Sequence, residues 1–216
     1  MKRIYTGILA FAAISSLAAM AQTSGTPSTT TPATATSTSA PVTGKTIQER
    51  KNNQQERIGN GVENGSLTAG EAANLEKKES NLNKEERNMR AADGGKLTDA
   101  DKAKLTRQQN TLSKDIYQQK HDAQVQPKAN NEVNARDKAQ QERIGQGIKS
   151  GQLTAGETAK LENQQKGINQ QVQADRAANG GKLTPGEKKQ INKEQNAASK
   201  NVYNKKHNGN TQGTKK

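Results

Sequence analysis

Asn64-Gly65-Ser66-Leu67-Thr68-Ala69-Gly70-Glu71 is the stretch from which the fold can be read. Its grammar, G-x-L-T-x-x-[ED], returns as Gly94-Gly95-Lys96-Leu97-Thr98-Asp99-Ala100-Asp101, as Ser150-Gly151-Gln152-Leu153-Thr154-Ala155-Gly156-Glu157 and as Gly180-Gly181-Lys182-Leu183-Thr184-Pro185-Gly186-Glu187. A glycine supplies the left-handed backbone that follows a helix. The threonine is the N-cap of the next helix, and the acidic residue three positions on completes a capping box. Pro185 stands at the first helical position, which suits proline. The stretch is therefore a helix–turn–helix junction, and it predicts a helix on each side of every occurrence.

The junctions belong to a longer duplication. Gln54–His121 aligns with Gln140–His207 without a gap at an offset of 86 (207 minus 121), and 33 of the 68 aligned positions are identical. A repeat this regular makes the architecture repeat. Between junctions run apolar stripes: Ala72, Leu75, Leu82 and Met89, then Leu105, Leu112 and Ile116. Their counterparts are Leu161, Ile168 and Val172, then Ile191, Ala198 and Val202. Upstream of the first junction lie Ile47, Ile58 and Val62, matched by Val133, Ile144 and Ile148. Each stripe is the narrow seam of a coiled-coil-like bundle rather than the wide face of a globular helix.

These features predict an all-α chain: two tandem elongated three-helix modules, antiparallel helical bundle repeats with turns of four or five residues, after a disordered linker. The helices should be about 30–38 Å long at 1.5 Å per residue. Module 1 spans 46–122 and module 2 spans 132–208, joined by a linker at 123–131 and followed by a basic disordered tail at 209–216. Pro127 disfavours helix at Gln126, and the modules are free to dock or to stand apart. Glu79, Glu86 and Gln165 occupy seam positions, so either their side chains reach the rim or the helices open and offer their stripes to a client.

Residues 1–21 read as a cleaved signal peptide: Lys2 and Arg3, an apolar run from Ile8 to Ala13, and Ala19-Met20-Ala21 as the cleavage pattern, with cleavage after Ala21. The run is short for a membrane span. Residues 22–45 are Ser, Thr, Pro and Ala with no charge before Lys45, a composition expected of a disordered spacer. The expected location is periplasmic or secreted. There is no cysteine, so neither a disulfide nor a lipidated cysteine anchor is available.

Charge and aromatic content narrow the function. Beyond the leader only Tyr117 and Tyr203 are aromatic, which rules out an aromatic-walled pocket. Residues 45–124 carry 15 Lys/Arg against 13 Asp/Glu, and residues 125–216 carry 17 against 8, net charges of +2 and +9. Two copies that share a pattern but not a charge do not need the excess for folding, which leaves it free to serve an anionic partner.

No site for chemistry emerges, and the sequence nominates no catalytic, cofactor-binding or metal-ligating residue and no cofactor. The junctions resemble the second half of an EF-hand loop, but the first, third and fifth ligand positions would be Asn60, Val62 and Asn64; Arg90, Ala92 and Gly94; Gln146, Ile148 and Ser150; or Arg176, Ala178 and Gly180. None is a carboxylate, and a hard cation needs them there. His121 and His207 lack companions at metal-ligand spacing and read as helix C-termini, where a cation complements the dipole. G-x-S-x-G is absent, and neither Gly94-Gly95 nor Gly180-Gly181 has the spacing of a phosphate loop. An enzyme is not expected.

Two resemblances attach to these motifs. The pattern Q-E-R-I-x-x-G…G-x-L-T-x-x-E…R-A-A-[ND]-G-G-K-L-T…Y-x-x-K-H over Gln54–His121 and Gln140–His207 is similar to that of exported bacterial repeat proteins, which implies a location and a repeat. Leu67-Thr68-x-x-Glu71 and its three counterparts resemble more weakly the L-T-x-x-Q of Spy- and CpxP-type helical periplasmic proteins, with Glu or Asp in place of Gln. Three functional expectations follow. The first is a non-catalytic envelope or secreted interaction protein whose partner is an anionic polymer or a protein. The second is a periplasmic chaperone-like or stress protein. The third is a calcium binder through degenerate EF-hand-like loops. Nucleic acid is disfavoured because Arg clusters and aromatics are absent.

Overall fold

Threonine sets where the helices start. In the computed structural model, which describes residues 46–212, the elements are α1 (Ile47–Asn64), α2 (Ala69–Ala92), α3 (Asp99–Lys120), α4 (Glu132–Ser150), α5 (Ala155–Ala178) and α6 (Pro185–Lys206). Thr46, Thr68, Thr98, Thr154 and Thr184 each close a reciprocal capping box, and Asn131 caps α4. The chain leaves α1 and α4 through Gly65 (φ 80°) and Gly151 (φ 74°), as the junction pattern predicts. The turns after α2 and α5 are longer than expected, residues 93–98 and 179–184, because paired glycines (Gly94 and Gly95, Gly180 and Gly181) both take positive φ and lengthen the reversal. The predicted signal peptide at 1–21 and spacer at 22–45 lie outside the described residues, as do 213–216.

Within each repeat the third helix packs on the first two: α3 on α1 and α2, α6 on α4 and α5. The most extensive helix contacts, however, run between repeats, α1 against α4 and α2 against α5. The docking that the sequence left open therefore takes place, and the described helices form one compact body. One buried apolar cluster draws on both copies, with Ile58, Val62, Leu67, Leu75, Leu112 and Ile116 from the first and Ile144, Ile148, Leu153, Leu161 and Val202 from the second. Burying each such side chain stabilises by about 1.5–3 kcal/mol, and two narrow seams facing each other supply what neither has alone.

The halves meet about a pseudo-two-fold axis. A Cβ on Gly59 would stand 3.0 Å from the Gly145 carbonyl oxygen, and a Cβ on Gly145 would stand 2.8 Å from the Gly59 carbonyl oxygen. These two glycines are equivalent (145 minus 59 is 86), so the contact is reciprocal, as at an isologous interface. Only glycine lets the two backbones approach this closely. On the second helix pair, Gly70 lies against Lys166 and Gly156 against Ser80, again the same contact read from each side. The start of each helix thus meets the middle of the other, and the first halves of α2 and α5 run antiparallel. Near the axis Lys149 donates to the Glu63 carboxylate, an ion pair between equivalent positions.

Segments read as linker and tail are part of the fold. Gln126, inside the expected 123–131 linker, donates its backbone N–H to the Gly65 carbonyl at 3.0 Å and its side-chain amide to Val62 and Leu67 carbonyls at 2.9 and 2.8 Å. Its equivalent, Gln212, donates to the Gly151 carbonyl at 3.0 Å and accepts from the Ala155 N–H at 2.7 Å. Residues 209–212 therefore belong to the second repeat rather than to a disordered tail. Each repeat ends by returning to its own first junction.

Candidate functional site

The residues that a sequence reading marks for chemistry are occupied with structure. The Glu71 carboxylate accepts from the Thr68 N–H and hydroxyl, both at 2.8 Å; Glu157 and Asp101 do the same at their own caps, and Glu187 accepts from the Thr184 N–H. Val62 and Ile148, at would-be ligand positions, are core residues. His121 and His207 are C-caps, and each ring donates from Nδ1 to the carbonyl four residues back, Tyr117 or Tyr203, at 2.7 Å. Each histidine stacks on that tyrosine with ring centroids 4.2 Å apart. A helix end explains both pairs.

Beneath the seams lies a polar layer that is nearly duplicated. Gln54 donates to the Gln109 carbonyl at 2.6 Å and to Ser113, and Gln140 donates to the Gln195 carbonyl at 2.6 Å and to Ser199. Gln55 donates to Glu76, and Gln141 to Glu162. The amides lock the third helix of each repeat to its first. Burial pushes the Glu76 carboxyl well above the usual carboxylate range, with the nearby charges of Glu79 and Glu162 adding to it. Burial likewise raises Glu162 to about 8. This layer was not singled out by the sequence reading, although QQER is repeated without change at 54–57 and 140–143.

Seam positions occupied by polar residues are closed rather than left at a rim. Glu79, Glu86 and Gln165 are all buried. Burial works to raise Glu86, but hydrogen bonds and charges from Lys51 and Arg90 outweigh it and hold the carboxyl below its ordinary value. Gln165 donates to Gln140 Oε1 at 2.9 Å. Glu79, its equivalent, has an Oε2 without a hydrogen bond, and burial raises it to about 7 despite the opposing charge of Lys51.

The repeats part company in how they handle surface charge. In the first, Lys78 pairs with Asp115 at 2.7 Å, Lys104 with Glu85 at 2.6 Å and Lys102 with Asp99 at 2.9 Å. At the position of the Lys78–Asp115 pair the second repeat has an amide bond, Asn201 to Gln164 at 3.0 Å. Glu85 and Lys104 become Gln171 and Gln190, and Asp99 becomes Pro185. The Lys78–Asp115 contact is thus kept with neutral groups, while Gln190 donates instead to Glu194 in its own helix. Along α6, Lys188, Lys189, Lys193 and Lys200 are exposed and make no ion pair among the described residues. Helix α6, with six lysines against two glutamates, carries +4 of the +9 of residues 125–216.

No helix among the described residues is long and apolar enough to cross a membrane. No protein-family model, curated protein or solved structure matches the chain.

Proposed function

We propose that the protein is a non-catalytic binding protein, acting in the periplasm or after secretion, that holds an anionic polymer on its second repeat. The observation that carries this reading is the contrast between copies of one scaffold. Where the first repeat holds α2 to α3 by ion pairs, the second holds α5 to α6 with amides and leaves the α6 lysines uncompensated. A like-signed row of exposed charge costs the fold a little self-repulsion and serves a polyanion. The closed seams favour this reading over client holding, because Leu75, Leu105, Leu161 and Ile191 are each at most 4% exposed. The caps favour it over calcium, because the junction carboxylates already accept from their own N-termini.

The test is titration of the full chain with polygalacturonate at low and raised salt, where affinity should fall as salt rises. The triple variant K188Q/K193Q/K200Q should lose most of the binding. Its first-repeat equivalent, K102Q/R107Q/K114Q, removes the same charge and should lose little. Equal losses from the two variants would overturn the assignment to the second repeat.

A further inference from the structure

A cleft at the far end of the second repeat carries the contrast between copies one step further, and the inference drawn from it rests on the polyanion reading above. The cleft, about 470 Å³, lies between the start of α4, the end of α5 and the α5–α6 turn. Arg176, Lys182 and Lys188 line it, with Glu132 the single carboxylate among its lining residues. The same three cations stand at the equivalent place in the first repeat as Arg90, Lys96 and Lys102. There, however, Arg90 is held by the Glu86 carboxylate through two bonds of 3.0 and 2.9 Å, and Lys102 is held by Asp99. In the second repeat Glu86 is replaced by Val172 and Asp99 by Pro185. The cations have been kept and their counter-ions removed.

What replaces the carboxylates is neutral. Arg176 donates to the side-chain oxygens of Asn131 and Asn134 at 3.2 and 3.3 Å, while Lys182 and Lys188 make no ion pair among the described residues. A guanidinium held in place by amides keeps its full charge and its fork for an incoming carboxylate or phosphate. Asn192 also lines the cleft and brings a side-chain amide to its wall. An amide pairs with a hydroxyl, which both donates and accepts, whereas a bare anion uses only its N–H donors. Leu183 and Val133 add an apolar wall suited to the C–H face of a ring, and the volume is of the size that takes small ligands.

We infer that this cleft binds an acidic sugar unit, a hydroxyl-bearing ring that carries a carboxylate or a phosphate. The cations take the acidic group, and Asn192 takes a hydroxyl. On a polymer the unit in the cleft fixes the register, and the α6 lysines hold the chain that leaves it.

The experiment uses the full chain and a short probe, trigalacturonate, with polyphosphate and a neutral glucan trimer as comparison ligands and glucose 6-phosphate as the phosphate-bearing sugar. R176Q/K182Q/K188Q should weaken trigalacturonate binding by about tenfold or more, the loss expected when charge-assisted hydrogen bonds are removed. K189Q/K193Q/K200Q, an equal loss of charge outside the cleft, should weaken it far less. P185D restores the counter-ion that the first repeat carries, at an exposed position, and should weaken binding several-fold with no change in melting. If the two triple variants weaken trigalacturonate equally, or if P185D has no effect, the cleft assignment is overturned while the polyanion reading stands. Polyphosphate bound as tightly as trigalacturonate, and equally sensitive to the cleft variant, would overturn the sugar. Binding of glucose 6-phosphate but not of trigalacturonate would assign the phosphate-bearing form of the sugar. If polygalacturonate itself does not bind at low salt, the broader reading falls with it.

Discussion

Replacing Glu79 with Gln should stabilise the protein, and do so more as pH rises. The second repeat already contains the result: Gln165 occupies the equivalent position and donates to Gln140 Oε1 at 2.9 Å. In the first repeat the corresponding oxygen, Gln54 Oε1, is buried without a hydrogen bond, and so is Glu79 Oε2. A protonated Glu79 can bridge them as the amide does, but an ionised one cannot. Burial lifts the Glu79 carboxyl from 4.5 to about 7, with the Lys51 charge opposing and the Glu86 charge adding. A folded-state value above the unfolded one means that stability is fully present below the unfolded value and is lost as pH rises through the folded one. Between these limits the shift corresponds to about 3 kcal/mol at roughly 1.4 kcal/mol per unit. That shift already contains the opposing attraction of Lys51, so the gain for Glu79→Gln at pH 8 is about 3 kcal/mol by the same conversion. For a body of this size that is about 6–12 °C in melting temperature. Thermal melts of both proteins at pH 4.5 and pH 8 measure it: the gap should be near zero in acid and open towards pH 8. A variant less stable than the parent at pH 8, or a gap that does not change with pH, would refute the reasoning.

Glu162 gives a second pH-dependent expectation. Burial holds it at about 8, so the same sign applies and stability is lost as pH rises from the ordinary carboxylate range to about 8; Glu162→Gln should flatten the alkaline limb of the stability profile measured by urea unfolding. At the crossing of α1 and α4, Gly145→Ala places a Cβ 2.8 Å from the Gly59 carbonyl oxygen and should cost about 1–3 kcal/mol, as overpacking does. Gly167→Ala on the open face of α5, where nothing lies within 4 Å, should instead stabilise by up to about 1 kcal/mol, and both are read from the same unfolding curves.

The junctions were legible because a cap is local chemistry. Thr68 and Glu71 meet within one turn of helix, so residue type and spacing suffice to place α2, and the same holds at the other three junctions. The packing of the repeats was not legible, because the glycines that allow it, Gly59 and Gly145, are ordinary in a helical pattern until another backbone stands against them. Gln126 and Gln212 hid for a similar reason: polar residues beyond a helix look like linker and tail, and only the carbonyls of Gly65 and Gly151 show them to be fasteners. For the candidate site, net charge pointed to the second repeat. The cleft needed the three-dimensional pairing of Arg90 with Glu86 before the missing partner of Arg176 had meaning.

The Glu63–Lys149 pair at the axis has a consequence for how such a chain recognises itself. A position that faces its own copy in a symmetric assembly can never be complementary in charge, because it can only meet its like. Joining the two copies in one polypeptide removes that prohibition, and here the paired position has become acid on one side and base on the other. Two first repeats brought together would oppose carboxylate to carboxylate, and two second repeats ammonium to ammonium. The halves therefore carry a mating type, which disfavours like-with-like association during synthesis, when one repeat emerges before the other.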